Sequence, residues 1–252
     1  MDLQVVLNSF ATDVFRKQAD YDYISARMNY RMQLRQQFLW SSQQALEKYL
    51  KAILLYNGKS ARYPPHQKKS GRNRGEYGHN LVLLNNQVAN IGYLRYELPE
   101  WTSSFLEYLT ELGGFNRYLS QASYNLPDAM HKLDEMVWNI RRYCQYIPDR
   151  GIGRQNSVPG LREALVDRIN DSFYKAKPIK FKLFDGELEK ILNRNQKDLA
   201  RQALVWANLF YGKKNRRRVT FSSMSSSEVP PQHRDWFDGV VSRKTISEYI
   251  KL

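Results

Sequence analysis

The sequence predicts an all-α fold, with a bundle of about four or five helices up to residue 147 and a smaller, mainly helical region after it. Long stretches without Gly or Pro support this prediction, because their apolar residues recur every three or four positions. That period gives a helix one apolar face to pack against a core. Residues 179–184 alternate between apolar and basic in the manner of a strand, but they are short and have no partner strand.

The first part of the chain predicts four successive helices. Residues 5–29 and 32–56 form the first two, and Gly58 lies just past the second, where glycine commonly ends a helix. A third helix is predicted to begin near His79. A fourth covers residues 100–112 and is expected to end at Gly113-Gly114.

A fifth, longer helix is predicted to begin at Pro127, since proline is favoured in the first turn, and to end at Pro148. Its apolar residues lie three and four positions apart, which predicts a seam along another helix or a second subunit. Six residues form this seam: Met130, Leu133, Val137, Ile140, Cys144 and Ile147.

Composition shifts divide the chain into three parts. The sequence predicts a helical bundle over residues 1–148, a linker over residues 149–158 and a helical extension over residues 159–252. The extension also contains a basic and Ser-rich loop. It is the natural place for a protein partner to bind.

The extension itself predicts further helices. Residues 161–173 are expected to form one helix, and residues 187–193 and 197–211 a helical hairpin. A last short helix is predicted over residues 242–252. One face of the hairpin is expected to carry Leu199, Ala203, Trp206 and Phe210.

Composition excludes several classes of protein. The chain has 252 residues, 42% of them hydrophobic, which is enough for a folded core. Cys144 is the only cysteine, so a disulfide scaffold and a Cys-based zinc site are excluded, and we expect no cofactor. No apolar run approaches the roughly 20 residues of a membrane span, and no signal peptide pattern opens the chain. A cytoplasmic protein without membrane contact is therefore expected.

The net charge of +14 is concentrated in two short segments that contain basic residues and no acidic ones. Both have the Pro, Gly or Ser content of loops. Clustered basic residues on loops suit contacts with phosphates, which predicts RNA or another nucleic acid as partner; the alternative is a pair of solvated connectors. The first basic segment (residues 59–74) contains Lys59, Arg62, Lys68, Lys69, Arg72 and Arg74, and the second (residues 213–218) contains Lys213, Lys214, Arg216, Arg217 and Arg218.

One string of residues points to a family. Residues 43–52 read Gln-Gln-Ala-Leu-Glu-Lys-Tyr-Leu-Lys-Ala and are followed by Gly58, a loop and then His79-Asn80-Leu81. With Tyr23-Ile24-Ser25-Ala26-Arg27 upstream, this pattern resembles the core of HEPN domains. The resemblance covers roughly residues 10–147. It implies an up-and-down helical bundle that forms a homodimer.

The resemblance implies several possible functions. Many HEPN proteins are metal-independent endoribonucleases, including toxins and CRISPR-associated nucleases. Others resemble the sacsin C-terminal domain and bind nucleotides without evident cleavage, and others still are subunits beside a small nucleotidyltransferase. An RNA-binding protein, with ribonuclease activity of the toxin or defence type, is therefore the first expectation. A non-catalytic module for nucleotides or proteins and a partner-dependent subunit are the alternatives.

The ribonuclease members carry Arg, four to six residues and then His, and this spacing occurs here. Arg74 and Arg72 precede His79 with four and six residues between. A neutral imidazole can take the proton of a ribose 2′-hydroxyl, and a guanidinium can hold the phosphate, so no metal is needed. With 22 Arg and 4 His in the chain, however, about one such spacing is expected by chance. His79 is alternatively a helix N-cap or a side chain that binds a ligand in a dimer cavity.

Four further polar residues are candidates for the same cavity. Asn80 belongs to the His-Asn-Leu pattern. Glu47 and Lys51 lie one helical turn apart, so they either pair along the helix or form a polar wall. Arg117 follows the expected break at Gly113-Gly114, where backbone amides can approach a phosphate; its alternative is a surface connector.

Overall fold

The computed structural model describes residues 3–62, 78–115, 128–148 and 158–212, and the structural findings concern these residues. Their regular structure is entirely helical, which confirms the predicted all-α class. None of the helices in these ranges is long and apolar enough to span a membrane. The predicted linker, apart from Val158, and the predicted last helix lie outside the described residues.

The N-terminal part forms a helical hairpin. Helix α1 (Leu3–Phe10) continues through a π-helical turn (Ala11–Arg16) into α2 (Lys17–Arg31), and α3 (Arg35–Tyr56) runs back along it. The two predicted helices are thus confirmed to within a few residues. Gln33 joins them with a φ of +61°, and the apolar faces of α2 and α3 are buried against each other.

Gly58 ends α3 as predicted. Its φ is +64°, a conformation that glycine adopts without steric cost. The amide of Lys59 donates to the carbonyl of Leu54 at 2.8 Å and that of Gly58 to Leu55 at 3.0 Å. This pair of hydrogen bonds satisfies carbonyls that a helix end otherwise leaves without donors.

Helix α4 (Leu81–Ala89) and α5 (Thr102–Leu109) follow, and α5 continues as a second π-helical segment (Thr110–Phe115). The predicted break at Gly113-Gly114 is therefore wrong. A Cβ atom on Gly113 would lie 2.6 Å from the carbonyl oxygen of Leu39 and 2.8 Å from Cβ of Gln43. Glycine is required there because the helix passes directly against the backbone of α3.

Helix α6 (Ala129–Arg141) carries the first four of the six predicted seam residues, and all six are buried. The helix ends at Arg141, so the predicted end at Pro148 is wrong. Pro148 has no N–H to donate to the carbonyl of Cys144, as a continuing helix would require. Arg16 supplies the donor instead, with Nη1 at 3.2 Å from that oxygen. Cys144 and Ile147 reach the core from the irregular chain beyond the helix.

Residues 158–212 share one hydrophobic core with the bundle. The helix predicted over residues 161–173 is divided at Asp171 into α7 (Leu161–Asn170) and α8 (Ser172–Ala176), because the Asp171 carboxylate accepts the amide of Phe173 at 2.8 Å and caps α8. A short 3₁₀ helix (Pro178–Lys180) comes next, and residues 181–183 have no regular structure rather than a paired strand.

The predicted hairpin is also shorter than expected. Helices α9 (Glu187–Leu192) and α10 (Leu199–Val205) are separated by a turn, and α10 ends before Trp206. Of the residues predicted to share one face, Leu199 is 70% exposed, whereas Ala203 is buried.

Buried arginines join the C-terminal helices to the bundle. Arg141 of α6 forms bidentate pairs with Asp20 of α2 (2.7 and 2.8 Å) and with Glu189 of α9 (2.8 and 2.6 Å). Arg27 of α2 donates to the carbonyls of Ala203 (2.8 Å) and Trp206, next to the end of α10. Because these carbonyls lack helical partners, a buried guanidinium is a suitable cap.

The approach of Gly113 to α3 gives a testable prediction. Gly113→Ala should lower the free energy of unfolding by about 1–3 kcal/mol, because the new methyl group overlaps the Leu39 backbone. Urea denaturation measures this change. Gly92→Ala is the matched control: a Cβ there meets no atom within 4 Å, so we expect a change within about 0.5 kcal/mol. Equal stabilities of the two variants would contradict the close packing of Gly113.

Candidate functional site

Glu47 lies at the centre of a polar cluster between α3 and the start of α4. Its Oε2 lies 2.9 Å from Nδ1 of His79, and its Oε1 accepts a hydrogen bond from Nζ of Lys51 at 2.6 Å. Glu47 and Lys51 are one turn apart on α3, so the predicted pairing along the helix is present. The chain thus brings Glu47, Lys51 and His79 together, although His79 is 32 residues from Glu47 in sequence.

Gln43, one turn before Glu47, completes the cluster. Its Nε2 donates to Oε2 of Glu47 at 2.8 Å and to the backbone carbonyl of His79 at 3.2 Å. The side-chain Nε2 of Gln44 donates in turn to Oε1 of Gln43 at 2.7 Å. Sequence reasoning missed Gln43, although its i, i+4 spacing to Glu47 was a usable signal. Gln43 fixes both partners of the Glu47–His79 contact.

These side chains line an open pocket of about 600 Å³. Its polar wall is formed by Glu47, Lys51 and His79, and Phe10 and Phe15 form an aromatic wall with their rings edge to face at 5.7 Å. The size and the mixture of apolar and polar walls suit a small organic ligand. The remaining lining residues are Leu55, Ser60, Ala61, Arg62 and Gly78.

The charge of Glu47 determines which ring nitrogen of His79 carries a proton. Burial raises the pKa of the Glu47 carboxyl, but hydrogen bonds from Lys51, His79 and Gln43 outweigh it and leave this pKa below its ordinary value. An ionised carboxylate only accepts hydrogen bonds, so Nδ1 of His79 must carry a proton. In neutral His79 the proton acceptor is then Nε2.

The structure places some predicted residues elsewhere. Asn80, rather than His79, is the N-cap of α4: its Oδ1 accepts the amide of Leu83 at 2.9 Å, so the N-cap prediction for His79 is wrong. Lys59 is exposed just past α3, and Arg62 is exposed on the pocket rim. The other predicted site residues lie outside the described residues: Lys68, Lys69, Arg72, Arg74, Arg117, Lys213, Lys214, Arg216, Arg217 and Arg218.

No group of three or more possible metal ligands is present among the described residues. The site is therefore built from one carboxylate, one imidazole and nearby cations, beside an aromatic wall. These features define the class of the protein as an all-α chain with a polar pocket suited to proton transfer and anion contact.

Comparison with known families gives one match. Residues 12–68 match the family model of the HEPN domain, which confirms the predicted resemblance to HEPN proteins. The match includes α2, α3 and Glu47, and it associates the chain with nucleotide-related or ribonuclease-type functions. Searches of curated proteins and of solved structures gave no match.

The lowered pKa of Glu47 predicts how the stability of the cluster depends on pH. The stabilising effect of this carboxylate is fully present above its ordinary pKa of 4.5 and is lost as the pH falls through the lowered pKa of the folded state. Glu47→Gln should therefore reduce the free energy of unfolding by about 1–3 kcal/mol at neutral pH. The difference in free energy of unfolding between Glu47→Gln and the unmodified protein should become smaller below pH 4.5.

Urea denaturation over a pH series measures this difference. Glu107→Gln, at an exposed position of α5, is the control and should stay close to the unmodified protein at neutral pH. If Glu47→Gln remains less stable than the unmodified protein by the same amount down to pH 3, the ionised Glu47 carboxylate is not the source of the lost stability.

Proposed function

We propose that the protein binds RNA, that the pocket beside His79 receives a nucleotide, and that the protein cleaves RNA there without a metal. The observation that carries this proposal is the contact between Glu47 and His79 on the pocket wall. A carboxylate that fixes the imidazole through Nδ1 leaves Nε2 as the proton acceptor, which is the arrangement of a general base.

The other lining residues support a nucleotide as ligand. Phe10 and Phe15 offer ring faces and edges for a base, and the cationic side chains of Lys51 and Arg62 suit a phosphate. The first basic segment continues from Arg62 towards Arg72 and Arg74 in sequence. We infer that one of these two arginines clamps the phosphate, as the HEPN resemblance implies.

The proposed reaction uses the RNA's own 2′-hydroxyl. His79 takes its proton while the 2′-oxygen forms a bond to the adjacent phosphorus, and the bond from phosphorus to the 5′-oxygen breaks. The products are a 2′,3′-cyclic phosphate and a 5′-hydroxyl. The leaving oxygen takes a proton from water, and the hydroxide that remains takes the proton from His79, which restores the base. We also propose, as the HEPN resemblance implies, that the protein forms a homodimer in which two copies of the site form one composite cleft.

Cleavage of labelled single-stranded RNA in EDTA tests the activity. His79→Ala should reduce the cleavage rate by about 10²–10⁴-fold, because it removes the general base. Glu47→Gln should also reduce the rate, since the imidazole loses its orienting carboxylate. His66→Ala is the control, because it removes a histidine of the first basic segment and leaves His79 in place.

Three outcomes separate the alternatives. Full activity in the His79→Ala variant would contradict the site. RNA binding without cleavage by any variant would favour the non-catalytic, nucleotide-binding alternative. Cleavage that appears only with a copurified protein would favour the partner-dependent alternative.

The basic segments give a second prediction. Replacement of Lys68, Lys69, Arg216 and Arg217 by Gln should weaken RNA binding and reduce the slope of log affinity against log salt by about 0.7 for each phosphate that the variant no longer neutralises. Four exposed basic residues elsewhere provide a control with the same change of charge: Arg31, Arg168, Arg194 and Lys197. An unchanged slope in the first variant would mean that the two segments are only solvated.

A further inference from the structure

We propose that residues 180–184 and the cavity beside them bind single-stranded RNA, with Lys180 and Lys182 on phosphates and Phe184 stacked on a base. This surface, the 180–184 strip, lies in the C-terminal region, beyond the part that matches the HEPN family model. It adds a contact site to the proposed function and rests on that function for the identity of the nucleic acid.

The strip belongs to a basic stretch in which apolar residues separate the lysines. Residues 172–184 contain four lysines and no acidic residue. All four lysines are exposed, and within the described ranges none of them forms an ion pair: Lys175, Lys177, Lys180 and Lys182. Such unpaired surface charge attracts polyanions.

Alternating side chains give the strip a regular face. Phe181 and Leu183 point into the core, with 7% and 3% of their surfaces exposed, so Lys180, Lys182 and Phe184 fall on the solvent side. Lys180 ends the 3₁₀ helix and residues 181–183 follow without regular structure, so the two exposed lysines lie two residues apart in sequence, beside Phe184. Both can therefore contact the backbone of one RNA strand.

Phe184 is held in solvent by a fixed backbone. Its side chain is 94% exposed, whereas Arg16, which is 4% exposed, donates from Nη2 to the carbonyls of Phe184 (3.0 Å) and Asp185 (3.1 Å). An exposed Phe forgoes the free energy that burial of its ring would contribute. A ring held in this position is a stacking platform, and stacking on aromatic rings is how proteins bind unpaired bases with little sequence preference.

The cavity beside Phe184 has room for the base. Its volume is about 340 Å³, and Tyr146, 43% exposed, offers a second ring. The side-chain amides of Asn8 and Gln145 supply donors and acceptors for the edges of a base. The carboxylate of Asp185 on the rim is paired with Lys17 and Lys190, at 3.0 and 2.6 Å, which offsets its repulsion of a phosphate.

Fluorescence anisotropy with a labelled single-stranded RNA tests the strip, with His79→Ala in every protein so that the RNA stays intact. Lys182→Gln with Phe184→Ala should weaken the affinity about tenfold or more and lower the salt slope by about 0.7. The matched control is Lys197→Gln with Leu199→Ala, which removes an exposed lysine and an exposed apolar side chain from another surface. This control should bind as the parent does.

Crosslinking separates the strip from the pocket at His79. With RNA that contains 4-thiouridine, crosslinks to the peptide that carries Phe184 support the strip. Crosslinks confined to residues 59–79 overturn the strip and leave the proposed function standing. Crosslinks found only at Phe184 support the strip and contradict the proposed RNA contact in the pocket at His79. Unchanged affinity in the strip variant also overturns the inference. The inference is also overturned if the strip variant loses binding to phosphatidylserine vesicles while its RNA affinity is unchanged, because the surface would then bind a membrane.

Discussion

The guanidinium of Arg141 holds together four helices that come from distant parts of the chain. Asp20 of α2 pairs with it, and the same carboxylate accepts the hydroxyl of Tyr49 on α3 and the amides of Glu187 and Leu188 at the start of α9. Glu189 covers the other side of the guanidinium. Because each buried charge here is paired and hydrogen-bonded, loss of one partner would leave another uncompensated at a cost of several kcal/mol. The pKa of Glu189 is accordingly lowered, since Arg141 and a backbone amide outweigh the effect of burial.

This arrangement positions both candidate surfaces. Tyr49 is two residues from Glu47 on α3, so the hydrogen bond to Asp20 fixes the helix that carries the pocket's carboxylate. On the other side, the amide of Leu183 donates to Glu189 at 3.1 Å, which anchors the strip one residue before Phe184. Arg16 fixes the next two carbonyls. The pocket and the strip therefore rest on one connected set of buried ionic contacts, although the sequence places them far apart.

The sequence predicted the helices well, because amphipathic spacing depends on local residues, and it failed where the outcome depends on a distant contact. Gly113 was expected to end a helix, but glycine also permits a close approach to another backbone, and only the neighbouring Leu39 decides between the two. Arg16 and Arg141 carry no local sign of burial, since their partners lie far along the chain. For the candidate site, the pairing of Glu47 with Lys51 follows from helical spacing, whereas the contact with His79 required the tertiary fold.

The π-helical turn at Ala11–Arg16 gives the N-terminal helix a role on both of its sides. Phe15 faces the pocket at His79, while Thr12 and Arg16 face the cavity beside Phe184. A π-helical turn takes more residues than an α-helical one, so it shifts the directions of the side chains after it relative to those before. Phe10 and Ser9, in α1, line the pocket and the cavity respectively. The N-terminal helix therefore contributes side chains both to the pocket proposed for catalysis and to the cavity proposed to bind single-stranded RNA.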